Sequence, residues 1–239
     1  MSARERSASG TGAPQLGALI DATPSPRPGP VVLEGRYGRV ERLDPSRHGA
    51  ALWAAMRDQQ ELWTHIPYGP FNDEASFAHW VADRERRDDP YCYAVIDRQR
   101  GALGVAALME IRPAMRVIEI GHIVYGAPLQ RTPLGTEAQY LLARYAFETL
   151  RYRRYEWKCN ALNAASRRAA ERFGFTFEGV FRNHLVVKGR NRDTAWYAIT
   201  GDDWPAIRSA FEAWLAPANF DRDGLQRRSL RDLVVAAAR

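Results

Sequence analysis

The sequence predicts one α/β domain in which helices flank a mixed β-sheet. Two observations carry this prediction. From residue 31 onward, strand-like runs alternate with segments of helical periodicity, in the order strand, two helices, three strands, helix, strand, helix, two strands. The 239 residues, 46% of them hydrophobic, are enough to bury one core.

The first half of the domain alternates quickly between element types. A strand is predicted over residues 37–43 and a short apolar-faced helix over 48–56. An aromatic loop, 61–71, leads to a helix that Asn72 or Asp73 caps and that runs through Arg86. Three strand-like runs follow, and the short turns between them predict an antiparallel meander. These runs are 91–96, 102–111 and 116–125.

The second half begins with the clearest helix of the chain. Its apolar positions recur at a spacing of three to four residues: Leu134, Ala138, Leu141, Leu142 and Tyr145. A strand over 155–159 precedes a helix that Asn163 opens and Gly174 ends. A hairpin of strands 177–187 and 193–200 and a terminal helix, Trp204–Leu215, complete the prediction.

The ends of the chain differ in composition from this domain, which we assign to residues 31–216. Residues 1–30 are rich in Ser, Gly, Pro and Ala, which predicts a disordered arm. Residues 217–239 form a basic tail with a small amphipathic helix. No secretory signal and no membrane-crossing run is present, so we expect a cytoplasmic protein without a membrane partner.

The cysteines and the charge limit the possible partners. Cys92 and Cys159 lie far apart without a CxxC pair or a His cluster, so neither a metal site nor a disulfide is predicted. The net charge of +6 comes almost entirely from Arg, interleaved with Asp and Glu. Without a recognisable nucleic-acid-binding motif, we do not expect a nucleic-acid partner. An anionic small ligand or an acidic substrate is equally consistent with this charge.

The loop "LQRTPLGTEA" leads straight into the periodic helix. Unpaired amides and the positive dipole end at a helix N-terminus suit an anion such as phosphate. Gly135 allows close approach, Thr136 adds a hydroxyl and Arg131 a charge. The alternative is a simple helix start. Neither a Walker loop nor a GxGxxG fingerprint is present.

An ordered set of motifs gives this loop its context. Gln130, Gly135 and the triplet Thr136-Glu137-Ala138 are followed by a second strand–loop–helix. There the motif residues are Asn163, Ser166, Gly174-Phe175, Glu178-Gly179 and Arg182. Over about residues 30–200, this pattern resembles the GCN5-related N-acetyltransferase (GNAT) superfamily, and especially its RimJ/RimL-like branch. The resemblance implies a mixed, mostly antiparallel sheet with a splayed central strand.

The resemblance also implies an activity. Members move an acetyl group from acetyl-CoA, as co-substrate, to a primary amine by direct transfer in a ternary complex. It implies that the loop grips the pyrophosphate, that the splayed strand pairs with the pantetheine arm, and that Asn163 contacts this arm or caps its helix. The loop residues are Gln130, Arg131, Leu134, Gly135 and Thr136, and the strand residues are His122, Ile123 and Val124.

Two positions depart from the family pattern. Pro133 stands where the family has its first loop Gly, so one amide donor is missing, although Pro suits the first turn of a helix. Ala170 occupies the position of the Tyr that many members use to protonate the departing thiolate. Ser166, one turn earlier, is our candidate for that role, as in RimL-like enzymes; its alternative is a buried Ser that bonds to its own helix.

An amine must lose a proton before it attacks the thioester, and Glu119 is the candidate base. It precedes Gln130 by 11 positions, the offset of the catalytic Glu in histone acetyltransferases of this superfamily. Ile118 and Ile120 flank it, which favours a raised pKa. The alternative is a surface Glu paired with an Arg, and His122 is a second candidate.

The aromatic loop borders the acceptor side in this family, so Trp63, His65 and Tyr68 are candidate substrate residues, with loop packing as the alternative. The acceptor is a protein or peptide N-terminus or a small amine. Detoxifying acetylation of an aminoacyl-nucleotide or antibiotic, and non-catalytic acyl-CoA sensing, are the alternatives. Both a monomer and a homodimer remain open.

Overall fold

A computed structural model describes residues 16–237, and these form one eight-stranded sheet with helices packed against it. The strand order is β1-β2-β3-β4-β5-β6-β8-β7. All neighbouring strands are antiparallel except β5 and β6, which are parallel. The predicted fold class, a mixed and mostly antiparallel sheet flanked by helices, is therefore confirmed. The strands are β1 Val32–Glu34, β2 Gly38–Arg42, β3 Tyr91–Asp97, β4 Gly101–Arg112, β5 Val117–Tyr125, β6 Arg154–Asn160, β7 Thr176–Val187 and β8 Arg190–Thr200.

The first four helices begin at residues whose side chains cap them. Helix α1 begins at Pro45, three residues before the predicted start, because the carboxylate of Asp44 accepts from two amides of the first turn. Asp73 caps α2 as predicted, and Asn163 caps α4. The helices are α1 Pro45–Met56, α2 Glu74–Glu85, α3 Pro133–Arg144, α4 Ala164–Arg172, α5 Trp204–Leu215 and α6 Leu230–Ala237; a π-turn, Tyr145–Thr149, extends α3. None of the helices in the described part of the chain could cross a bilayer.

Strand β1 is the element that the sequence prediction missed. It has only three residues and lies at the sheet edge against β2, too short to show a period-two pattern. The β1–β2 turn is fixed from α3 instead. Glu137 accepts the amides of Arg36 at 2.6 Å and Tyr37 at 2.8 Å. Glu137 of α3 thus fixes the edge of the sheet, although it lies 100 positions after Tyr37 in the sequence.

The sheet opens at its centre. Strands β5 and β6 pair only from Val117↔Arg154 to Glu119↔Glu156, and beyond Glu119 they separate. On its other side β5 carries a bulge, where residues 122 and 123 together oppose Ala106 of β4. His122 has a φ of 47° there. The splayed central strand is confirmed, and its backbone between residues 120 and 125 has no ladder partner on the β6 side.

Both ends of the described chain contact the domain. Ser25 donates its amide to Pro113 O at 3.1 Å and its hydroxyl to Arg151 O at 3.0 Å. The rest of the predicted arm, residues 1–15, lies outside the described residues. In the predicted tail, Leu230 and Leu233 of α6 are buried where α6 packs on α5. The domain limits of 31 and 216 stay a prediction.

Candidate active site

A cleft of about 1310 Å³ lies where β5 and β6 separate. Most of the predicted site residues line it: His65, Glu119, His122, Ile123, Val124, Gln130, Arg131, Gly135, Thr136, Asn163 and Ser166. Trp63, Tyr68 and Leu134 are not among its lining residues. The structure also adds lining residues that the sequence analysis did not predict, including Lys158, Arg172, Arg192, Trp196 and Trp214.

The cleft is lined from both faces of the sheet. Trp157 of β6 faces α4, because its indole donates to Ser166 of that helix. Side chains alternate along a strand, so the next residue, Lys158, points to the other face of the sheet. Arg172 of α4 contacts Thr136 of α3, which places the start of α3 beside α4. We call this side the α4 face; it carries loop 130–136, Asn163, Ser166 and Arg172. The opposite face carries Glu119, Lys158 and Arg192.

On the α4 face, the loop before α3 is held by its own side chains. Thr132, which the sequence analysis missed, is the N-cap of α3: its hydroxyl accepts from Gly135 N at 3.1 Å and donates to Leu129 O at 2.7 Å. Gln130 donates its side-chain amide to Tyr125 O at 2.8 Å. Arg131 is exposed and has a left-handed φ of 59°. The loop conformation is therefore fixed without a ligand.

These caps leave few amides for an anion. Pro133 has no N–H, Gly135 donates to Thr132, and Thr136 N donates to Thr132 O. Leu134 is the position in this first turn whose N–H finds no acceptor among the described residues; its side chain is buried. Gly135 is needed for packing, because a Cβ there would lie 2.8 Å from Leu129 O. The predicted anion site thus has fewer amides than the sequence alone suggests.

Arg172 supplies a positive charge beside this turn. Its guanidinium donates to Thr136 Oγ1 at 3.1 Å and lies over the rings of Phe173 and Trp214. None of the described carboxylates lies within 4.0 Å of it. Trp214 is itself fixed by Gln226, to which its indole donates at 2.7 Å. The C-terminal elements therefore help to place a free cation at the start of α3.

The start of α4 fixes two predicted residues. Asn163 Oδ1 accepts from Ser166 N at 3.0 Å, so its side chain acts as the N-cap. The Ser166 hydroxyl accepts from the Trp157 indole at 3.0 Å, so its own hydrogen can be donated to Cys159 or into the cleft. Cys159, beside it, is buried, and burial raises the pKa of its thiol. Cys159 is therefore a neutral wall residue at pH 7.

On the opposite face, Glu119 is 5% exposed and lies at the last position at which β5 pairs with β6. Its Oε2 is 2.8 Å from Lys158 Nζ, while Oε1 has no hydrogen-bond donor among the described residues. Burial raises the pKa of this carboxyl to about 7, against the lowering effect of the Lys158 ammonium. The carboxylate is thus buried and paired with a Lys, where the sequence analysis offered a surface Glu paired with an Arg as the alternative.

His122 lies on the bulge and is held by Tyr68. The Tyr68 hydroxyl is 2.7 Å from His122 Nδ1, and the two rings are stacked 5.4 Å apart. Burial, together with the positive charges of Arg84 and Arg192, lowers the pKa of His122 to about 4. At pH 7 this imidazole is neutral and already bonded, which makes it a much weaker base than Glu119.

The aromatic loop divides between core and cleft. Trp63 is 3% exposed and packs edge-on against Phe71 at 5.0 Å and Trp80 at 5.4 Å, which favours the packing alternative. Tyr68 acts on the cleft through His122. Of Trp63, His65 and Tyr68, it is His65 that lines the cleft. The pKa of its imidazole is lowered, mainly by burial and then by the charge of Arg192.

The donor groups fit a long ligand with phosphates at one end. The open backbone of β5 can pair with an amide-bearing arm, and the start of α3 offers the Leu134 amide, the helix dipole, Arg131 and Arg172 for phosphate. None of the described residues forms a cluster of three or more His, Cys, Asp or Glu that could hold a metal ion. The cleft therefore suits a pantetheine arm and its pyrophosphate, as in acetyl-CoA.

Comparison with known proteins decides the family. Residues 41–176 match the family model described as "Acetyltransferase (GNAT) domain", more than half of the chain. The chain belongs to the GNAT acetyltransferase family. A crystal structure of a GCN5-related N-acetyltransferase from Brucella melitensis is 48% identical, with a TM-score of 0.88 over 91% of this chain and 100% of that one. The GNAT resemblance inferred from the motifs is thereby confirmed, and the protein is an acyltransferase.

Two further relatives carry names that mention ribosomal proteins. The Bacillus subtilis protein named "Putative ribosomal N-acetyltransferase YdaF" is 31% identical over 101 residues, which are 42% of this chain and 55% of that protein. The match thus spans about half of that relative's length. A RimL ribosomal-protein α-N-acetyltransferase in complex with coenzyme A is 19% identical, with a TM-score of 0.61 over 71% of this GNAT chain and 98% of that one. The second likeness concerns the fold alone.

Proposed function

We propose that this protein transfers an acetyl group from acetyl-CoA to a primary amine by direct attack in a ternary complex. One observation carries the proposal. Glu119 is a buried carboxyl with a pKa of about 7 at the point where the cleft passes through the sheet, and one of its oxygens is free. A general base is most effective when its pKa lies near the working pH.

The α4 face is the donor end of this proposal. Arg172, Arg131 and the Leu134 amide would hold the pyrophosphate, and Arg172 replaces the contact that Pro133 removes. The open backbone at residues 122–124 would pair with the pantetheine arm. Asn163 would act through its cap, which orients α4, and through its amide group, which remains accessible to the cleft.

The opposite face is the acceptor end. Acetyl-CoA supplies the activated acetyl thioester. Glu119 Oε1 would accept the proton of the incoming ammonium, directly or through one water molecule. Ser166, whose oxygen accepts from Trp157 and whose hydrogen is thus available to a sulfur atom, would donate to the departing sulfur, in place of the Tyr that Ala170 replaces. Neutral His122 would hold the bulge in position through Tyr68.

We propose a peptide or protein N-terminus as the acceptor. The name of one relative supports it, because the Bacillus subtilis protein is named "Putative ribosomal N-acetyltransferase YdaF". The lining of the cleft on the opposite face also supports it, since His65, Leu185 and Trp196 form a surface that a side chain next to the amine could contact. The cytoplasmic location and the oligomeric state stay predictions.

The test is acetyl-CoA calorimetry followed by a CoA-release assay over a panel of peptides and small amines. Glu119→Gln removes the base and keeps the shape, so we expect kcat to fall about 100-fold or more while the Kd for acetyl-CoA changes less than about twofold. Glu61→Gln is the matched control, because Glu61 is an exposed carboxylate on the rim of the same cleft.

Three results would contradict the proposal. Absence of acetyl-CoA binding would remove the donor. Binding without CoA release from any amine would favour the acyl-CoA sensor. Unchanged turnover in Glu119→Gln, with Glu61→Gln equally active, would remove Glu119 as the base.

A further inference from the structure

Arg192 lies on the inner face of the β7–β8 hairpin and points into the acceptor end of the cleft. Along β8 the side chains of Arg192, Thr194 and Trp196 share one face, and all three line the cleft. On the other face of β8, the Tyr197 hydroxyl accepts from Arg167 of α4 at 3.1 Å. Arg192 therefore lies on the same side of the sheet as Glu119 and Lys158, away from the donor end.

The Arg192 guanidinium lacks the carboxylate partner that the other cations near it have. Its Nε is buried without a hydrogen-bond acceptor, and none of the carboxylates in the described ranges lies within 4.0 Å of it. By contrast, Lys158, Arg112 and Arg154 are each paired with Glu156. Arg192 is half-buried, and the Glu119 carboxylate acts on its charge only from beyond 4.0 Å. A half-buried guanidinium with an unsatisfied Nε in a cleft points to a ligand that completes it.

The hairpin that carries Arg192 is held in place over the cleft. At its tip, Lys188 Nζ donates to Trp63 O at 2.8 Å, which ties the hairpin to the buried aromatic cluster of the loop. Thr194 is fixed through His184, whose Nδ1 is 3.0 Å from its hydroxyl. Arg192 is thus presented from a rigid element that is anchored on both sides, which suits a binding residue.

The carboxylates around Arg192 determine which type of anion it can bind. Glu61, Glu110 and Glu119 also line the cleft, and the Lys158 charge is already shared between Glu119 and Glu156. One guanidinium among these carboxylates balances a monoanion better than a dianion. A planar carboxylate also matches the fork of an Arg, with two parallel hydrogen bonds.

We propose that Arg192 binds a carboxylate of the acceptor, so that the preferred substrate is a primary amine that carries a carboxylate close to the amine. Such a carboxylate comes either from an Asp or Glu side chain near a peptide N-terminus or from the α-carboxylate of a free amino acid. This inference rests on the proposed acetyltransferase function and specifies its acceptor. The effect of Arg192 on the pKa values of His65 and His122 agrees with its place beside them.

The experiment measures kcat/KM for CoA release with matched acceptors. One pair is Ala-Asp-Ala-Ala amide and Ala-Asn-Ala-Ala amide; the second is free alanine and alaninamide. We expect the wild-type protein to prefer the acidic member of one pair by about tenfold or more, and that pair identifies the source of the carboxylate. In Arg192→Gln the ratio should fall to about one, and Arg192→Lys should restore part of it.

Arg190→Gln is the matched control, because Arg190 is exposed on the same strand and does not line the cleft. It should keep the wild-type preference. Calorimetry with acetyl-CoA verifies that Arg192→Gln is folded, since its donor end is unaltered. Equal rates within both pairs in the wild type, or a preference that survives Arg192→Gln, would overturn the inference while leaving the acetyltransferase function intact. A stronger preference for O-phosphoethanolamine over both carboxylates would also overturn it. Failure of every amine would overturn the proposed function and this inference with it.

Discussion

The two faces of the cleft are built in different ways. On the α4 face two local caps shape the helix starts, with the cation of Arg172 beside them: Thr132 caps Gly135 three residues away, and Asn163 caps Ser166 at the same spacing. On the opposite face the groups are charged and come from different strands, because Glu119, Lys158 and Arg192 belong to β5, β6 and β8. The donor end thus depends on helix starts, whereas the acceptor end depends on the register of the sheet.

On the opposite face, the register of the sheet pairs two carboxylates, Glu119 and Glu156, whose pKa values differ. Glu119 and Glu156 are cross-strand partners, both are buried, and both contact Lys158. Burial acts to raise both pKa values. In Glu156 the hydrogen bond from Arg154 and the charges of Lys158 and Arg112 outweigh it, so its pKa lies below the usual value, whereas the pKa of Glu119 rises to about 7. Two differences separate the base from the structural anion: Glu119 lies deeper within the protein, and Glu156 has the additional cations Arg154 and Arg112.

Lys158→Met tests this difference through the pH dependence of the rate. Without the ammonium, the pKa of Glu119 should rise above about 7, so the acidic limb of the kcat/KM profile moves to higher pH. A shift of one unit, from about 7 to about 8, lowers the ionised fraction of Glu119 at pH 7 from about one half to about one eleventh, so the rate at pH 7 falls about fivefold. The measurement is kcat/KM against pH for both proteins with one acceptor, so that titration of the amine is common to both.

The same profiles contain the control for unfolding. Above both pKa values Glu119 is ionised in either protein, and the two rates should converge. An acidic limb that does not move would mean that Lys158 does not set the pKa of Glu119. A constant loss of rate at every pH would indicate damage to the fold instead.

The contrast between the faces also explains how much the sequence could predict. Helix starts and strand order follow from local patterns, so the fold class, the caps at Asp73 and Asn163 and the loop 130–136 were predictable. Glu119 was found through its offset from Gln130 in the family pattern. Its partner Lys158 was not found, because the pairing depends on how two strands align in parallel over three positions.

Arg172 was missed for a related reason. The sequence offers Arg167, Arg168 and Arg172 on one short helix, and nothing in their spacing tells which of them points to the start of α3. The contact to Thr136 and the packing on Trp214 arise only in the folded domain, where the end of α4 meets α3 and α5. Thr132 could have been predicted as the N-cap of α3, since a Thr before a Pro is a recognisable cap signal.

Arg172→Gln sharpens the account of the α4 face. Loss of the free cation beside the α3 start should raise the Kd for acetyl-CoA by about tenfold and leave kcat at saturation within about twofold. Calorimetry and saturation kinetics measure both. Arg168→Gln is the matched control, since Arg168 is exposed on the same helix. With S-acetyl-pantetheine, which lacks the phosphates, wild type and Arg172→Gln should be equal; a difference that persists would assign Arg172 to the arm or to packing.

Pro133→Ala has the smallest expected effect and asks whether the missing amide matters. Alanine restores an N–H in the first turn, beside the unpaired amide of Leu134, and one added hydrogen bond to a phosphate should lower the Kd for acetyl-CoA by about threefold to fivefold. The free energy of unfolding should fall by about 0.5–1 kcal/mol, because proline restricts the unfolded chain and alanine does not. Calorimetry and urea unfolding measure the two quantities separately. An unchanged Kd would show that the first-turn amides do not face the pyrophosphate, and that Arg172 and Arg131 hold it through charge alone.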